Sequence, residues 1–133
     1  IEMHKLEDRI DFFPLNMLHP DKPFPEADAI WMSQFLDCFS EDEIVTILRH
    51  AAKTMTPDTK LFIMETFWDN QDYPAATFSL AATSVYFTAM ANGNSKMYGI
   101  NRFINLVEKA GLKVIDQKFP VGVSHTVLSC VLA

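Results

Sequence analysis

Two apolar runs separated by one capped amphipathic helix constrain this chain more than any other feature. Residues 27–32 are apolar except for Asp28, and residues 61–67 are apolar up to Glu65 and Thr66. Continuous apolar runs of this length, bounded by turn signals, suit strands buried on both faces. Between them, Ser40-Glu41-Asp42-Glu43 forms a capping box. The serine side chain accepts from the amide three residues on, and Glu43 reaches back to the amide of Ser40. The acids of this first turn also suit the positive end of the helix dipole. Ile44, Ile47, Leu48, Ala51 and Met55 follow at helical spacing as one buried stripe, and Thr56-Pro57-Asp58 ends the helix. Strand, helix, strand over such a length predicts a parallel pair joined by a crossover helix.

The flanking segments extend this pattern. The first residues, 1–6, read as the middle of a helix, and residues 9–15 as a short strand with Pro14 near its end. A proline-rich loop follows through Pro20, Pro23 and Pro25. Pro74 opens a long alanine-rich helix to about Ala91, where proline in the first turn costs no hydrogen bond. Residues 92–95 form a loop. Ile100, Phe103, Ile104 and Val107 mark a further helix, and Gly111 sits where a left-handed cap is wanted. Residues 112–119 and 124–132 alternate in hydropathy and read as a closing antiparallel pair across a turn at 120–123. Trp31 and Trp68 are expected in the core.

Composition narrows the function classes. The chain has 133 residues, 49% hydrophobic and 21% charged, which is globular composition of single-domain size. A net charge of -6 argues against a nucleic-acid backbone as partner, because phosphate binding wants a basic face. No apolar run reaches membrane-spanning length, so no membrane partner is expected. Two distant cysteines, Cys38 and Cys130, make no disulfide framework and suit a reducing, cytoplasmic setting. The four histidines lie in separate segments without ligand spacing, so no metal site is expected.

In open α/β sheets ligands sit outside the carboxyl ends of the strands. That directs attention to the residues after 32 and around 65. Asp37 is either a base or hydrogen-bond acceptor in a cleft, or a residue shaping the turn into the next helix. Glu65, at the end of an apolar strand, is either a buried acid with a raised pKa or a side chain emerging into water. The loop through Ser95 and Lys96 offers polar groups to a ligand, or is a plain helix cap and turn. Phe78, Tyr86, Phe87 and Met90 of the long helix either wall an aromatic pocket or pack the core.

Specific residues then carry a resemblance. Leu15-Asn16-Met17-Leu18, Ala27-Asp28-Ala29-Ile30-Trp31-Met32, Phe39-Ser40-Glu41-Asp42-Glu43, Met64-Glu65 and Glu108-Lys109-Ala110-Gly111-Leu112 occur in this order. From Arg9 to its end the chain resembles the C-terminal catalytic half of S-adenosylmethionine-dependent O-methyltransferases, the family of plant caffeate-type and bacterial small-molecule enzymes. The resemblance implies an α/β fold: the C-terminal part of a Rossmann-like methyltransferase sheet with an antiparallel edge strand. It implies that residues 1–133 are a single partial domain, with the glycine-rich cofactor motif and a dimerising helical domain preceding Ile1. The chain alone would then hold half of a cofactor site and be inactive, and the full-length protein would be a homodimer. Methyl transfer from S-adenosylmethionine to a hydroxyl of a small, aromatic molecule is the implied activity.

The resemblance also assigns residues. Asn16 and Met17 fall where relatives bracket the cofactor's adenine, Ser33 where a lysine often lies beside the cofactor, and Phe39 where a tryptophan stands. Asp37 replaces the histidine that deprotonates the acceptor, and Glu65 matches a glutamate flanking that base. Ser95 or Lys96 falls near a second flanking glutamate, and with Phe87 and Met90 would face the acceptor. The departure at Asp37 leaves a rival expectation: a non-catalytic ligand-binding or scaffold protein that kept the fold.

Overall fold

A computed structural model describes residues 6, 8–91 and 93–133. The helix expected at the start lies outside the described residues apart from Leu6, as does Asn92 of the expected loop. Among the described residues, four strands and three α-helices follow in order: β1 (Ala29–Ser33), α1 (Glu41–Ala52), β2 (Lys60–Glu65), α2 (Pro74–Met90), α3 (Ile100–Lys109), β3 (Leu112–Val121) and β4 (His125–Leu132). They form one mixed sheet in the order β1-β2-β4-β3. The expected parallel pair is present, with Ile30 opposite Leu61 and Met32 opposite Ile63. β4 runs antiparallel to both its neighbours, pairing Leu128 with Ile63 and Cys130 with Val114. The fold is thus the α/β sheet with an antiparallel closing pair that the sequence implies.

The core lies on one face of this sheet. Alternate residues of a strand point to opposite faces. In β2, Leu61, Ile63 and Glu65 are buried while Phe62 and Met64 are half-buried. Ile44, Ile47, Leu48 and Ala51 of α1 are fully buried against this face, as are Phe103 and Val107 of α3. The capping box forms as read: the Ser40 N–H donates to Glu43 Oε2 at 2.8 Å, and the Glu43 N–H to Ser40 Oγ at 3.5 Å. Gly111 takes a left-handed φ of 85° after α3, where a side chain would be strained.

Four expectations are corrected. Residues 9–15 are not a strand; among the described residues the backbone bonds there close a turn, from the Arg9 and Ile10 N–H groups to Leu6 O. An isolated apolar segment with no neighbour to share a ladder stays irregular. β1 is not buried on both faces, because among the described residues the core lies on one face of the sheet and α2 has no buried residue to cover the other. Trp31 is accordingly 57% exposed on its outer face, beside the Phe62 ring at 5.9 Å, and Trp68 is 41% exposed just beyond β2. Finally, α2 has no buried residue at all, so Phe78, Tyr86 and Met90 are not core.

A candidate acceptor-side active site

The candidate site is built at the carboxyl end of β1. The ladder continues one step beyond the strand, with the Gln34 N–H donating to Met64 O at 2.9 Å. Gln34 then adopts a φ of 50°, a left-handed conformation uncommon outside glycine. This reversal tips the chain into a 3-10 turn, Leu36–Cys38. Successive N–H groups in such a reversal converge into a concave nest that favours an anion.

Glu65 fills that nest. It is the last residue of β2, 2% exposed, and its Oε1 accepts from the N–H of Phe35 at 2.9 Å and of Leu36 at 2.8 Å. Its other oxygen, Oε2, is buried with no hydrogen-bond partner among the described residues. Burial pushes the carboxyl up to about 7, and the nearby Asp37 charge adds to the rise, against the stabilising N–H groups of Phe35 and Leu36. Of the two readings offered by sequence, the buried acid is the one observed.

Asp37 sits at the centre of the 3-10 turn and is half-buried. Its Oδ1 accepts from the Cys38 thiol at 3.6 Å. Burial raises its pKa, partly offset by the Cys38 contact. Phe39, the next residue but one, packs its ring edge-on against Phe35 at 5.0 Å. Ser33 closes β1 beside Met64.

The loop residues singled out in the sequence do arrive here. The Lys96 N–H donates to Asp37 O at 3.0 Å, and the Ser95 hydroxyl to Cys38 O at 3.4 Å. The Lys96 ammonium lies 3.3 Å from Glu41 and 4.9 Å above the Tyr98 ring. Glu41 also pairs with Arg102 at 2.7 Å, and these cations hold its carboxyl below the usual range. Phe87 is half-buried on α2, while Met90 is 74% exposed at its end. A shallow cleft of about 350 Å³ between α2 and Lys96 is lined by Ser84, Val85, Thr88 and Ala89.

Asn16 and Met17 are not brought to this turn. Asn16 Oδ1 accepts from the Leu18 and His19 N–H groups, both at 3.1 Å, in a local turn. The Met17 carbonyl lies 3.4 Å from the His50 ring, in the last turn of α1. His50 is nine residues beyond Glu41, about 14 Å along the axis at 1.5 Å per residue. A cleft of about 470 Å³ is also at that end, between residues 18–24 and the end of α1. Neither Asp37 nor Glu65 lines it, so carboxylate chemistry rather than volume locates the site. Sequence reasoning missed Tyr98, whose hydroxyl donates to Phe39 O at 2.7 Å, because nothing local links residues 59 apart.

Residues 3–113 match the family model described as the O-methyltransferase domain. The chain belongs to the O-methyltransferase domain family. It is 33% identical over 91 residues to O-methyltransferase 12 of Dictyostelium discoideum, covering 68% of this chain and 23% of that protein. It is 28% identical over 93 residues to the Probable inactive O-methyltransferase 11 of the same organism, covering 70% of this chain and 27% of that one. The chain thus spans about a quarter of the length of these relatives. Among solved structures, the mitomycin 7-O-methyltransferase MmcR superposes with a TM-score of 0.81 at 23% identity, over 99% of this chain and 37% of that one. LepI in complex with SAM gives 0.73 at 20% identity, over 91% and 30%. At these identities the superpositions establish a shared fold.

Proposed function

We propose that this chain supplies the acceptor side of an S-adenosylmethionine-dependent O-methyltransferase acting on a hydroxyl of a small aromatic molecule. When bound, the cofactor supplies an electrophilic methyl group on a sulfonium. The observation carrying the reading is Asp37, held half-buried at the carboxyl end of β1 beside the buried Glu65. An acidic turn suits a cationic donor, and the Phe39 ring and the Ser33 hydroxyl are the groups on this chain that would meet it. Asn16 and Met17, held near the end of α1, are not assigned to that face.

With the cofactor and acceptor in place, Asp37 would take the acceptor's hydroxyl proton as the methyl group passes to its oxygen. An ordinary aspartate near 3.9 is a weak base for a phenol near 10. Burial shifts Asp37 in the useful direction. The remaining acceleration is assigned to holding donor and acceptor in line. Phe87 and Met90 of α2, with Ser95 and Lys96, are assigned to the acceptor in the same proposal; of these, Lys96 lines the cleft against α2. The homodimer implied by the resemblance belongs to the same proposal for the full-length protein.

Asp37→Asn keeps the shape and removes the base. In the full-length protein, assayed for methyl transfer to screened phenols, it should lower the rate by about 10²-fold. Asp37→His should preserve or raise it. Equal activity in Asp37→Asn and parent would leave Asp37 a turn residue only. A second reading, a scaffold that kept the fold without the transfer, is favoured by the relative described as probably inactive. Parent protein silent with every acceptor, while still binding the cofactor, would select it.

A further inference from the structure

One short segment engages three consecutive carbonyls of the Asp37 turn. Asp37 O accepts from the Lys96 N–H at 3.0 Å, Cys38 O from the Ser95 hydroxyl at 3.4 Å, and Phe39 O from the Tyr98 hydroxyl at 2.7 Å. The segment is itself anchored from two sides. The Ser84 hydroxyl of α2 accepts from the Met97 N–H at 2.6 Å, and the Thr88 hydroxyl donates to Ser95 O at 3.3 Å. The Trp68 N–H, just beyond β2, donates to Tyr98 O at 3.2 Å.

The shortest of the three bonds to the turn comes from Tyr98. It is 3% exposed, its ring set edge-on against Phe103 at 5.9 Å and 64°. That packing and the buried setting hold the ring in place, so the hydroxyl meets the Phe39 carbonyl. The turn it holds is short and follows a strained residue, Gln34, so external partners decide its geometry. We propose that Tyr98 is a positioning residue for methyl transfer: by fixing the Phe39 carbonyl it sets the Asp37 carboxyl against the acceptor and the Phe39 ring against the cofactor. This rests on the function proposed above, in which Asp37 takes the acceptor's proton. Burial keeps the phenol neutral by raising its pKa, so the donor is present at every working pH.

The test separates the hydroxyl from the ring. Tyr98→Phe keeps the packing on Phe103 and removes only the donor. Tyr73→Phe, at a site 67% exposed and outside the turn, is the control. Two quantities are measured in the full-length protein: methyl-transfer kinetics, and amide hydrogen exchange over residues 35–39. Tyr98→Phe should lower kcat about tenfold or more, since misplacement by about 1 Å costs up to about 10²-fold. The acceptor KM should stay within about twofold on the same principle of misplacement without lost contact. Exchange over 35–39 should quicken several-fold, and Tyr73→Phe should change neither. An unchanged kcat overturns the proposal. So does a lower kcat with unchanged exchange, because the hydroxyl would then act by another route. If the parent transfers no methyl group, the proposed function falls, and unchanged exchange in Tyr98→Phe still refutes the grip on the turn.

Discussion

Glu65→Gln is the most informative single change, because the structure fixes both its sign and its size. Glu65 Oε1 takes two N–H groups, while Oε2 is buried without a partner among the described residues. Its carboxyl stands at about 7 rather than 4.5, chiefly through burial. The native state therefore keeps this proton where the unfolded chain has lost it. Stability from this group is fully present below pH 4.5 and is lost as pH rises to about 7 and beyond. The difference corresponds to about 3 kcal/mol at 1.36 kcal/mol per pH unit. Glutamine keeps the carbonyl oxygen for the Phe35 and Leu36 amides and cannot ionise. Urea denaturation at pH 5 should place variant and parent within about 1 kcal/mol, the net worth of one hydrogen bond. At pH 8.5 the variant should be the more stable by about 2–3 kcal/mol. Asp37 is raised in the same direction and lies close to Glu65, so the difference between the two proteins reports Glu65 together with its coupling to Asp37. Parallel pH profiles for the two would refute the reasoning, since the buried charge would then carry no cost.

Two further outcomes test the frame that holds the site. Phe103→Ala empties a fully buried position between Phe67 at 5.2 Å and Tyr98 at 5.9 Å, and should cost about 3–5 kcal/mol in chemical denaturation. Ser40→Ala removes the side-chain half of the capping box and should cost about 1 kcal/mol, read as a lower urea midpoint with unchanged slope.

The parts of the fold readable from sequence are those whose cause is local. The α1 stripe and its capping box depend on spacings of three and four residues, and both appear as read. The pairing of residues 27–32 with 61–67 follows from apolar runs that need neighbours, and β1 and β2 do pair in parallel. Residues 9–15 have strand-like composition, but a ladder partner is a tertiary fact that composition does not contain. Burial of Trp31 fails for a related reason, since whether a second layer covers a sheet face is also a tertiary fact. The site is legible in part: Asp37 and Glu65 were picked out by their position at strand ends. The two bonds from the Phe35 and Leu36 amides to Glu65 span 30 and 29 residues, and no periodicity encodes such reach. Lys96 and Ser95 drew attention as polar loop residues, but their partners, Glu41 and Cys38 O, emerge only from the packing of three segments.

The two carboxyls should be considered together. Each is raised by burial, and each is disfavoured further when the other ionises, because like charges at close range oppose one another. No ion pair to either appears among the described residues; the nearby cations Lys96 and Arg102 are engaged with Glu41. Ionisation of either carboxyl therefore makes the other hold its proton more tightly, and the two titrate as a pair. While Glu65 stays neutral, its nest is filled by an uncharged acid. Once both ionise, the second charge makes Asp37 a stronger base, while the Phe35 and Leu36 amides hold the Glu65 carboxylate more firmly. Proton affinity and geometry at Asp37 are thus set by the same buried neighbour, which acts on the turn through its backbone amides and on the carboxylate through space.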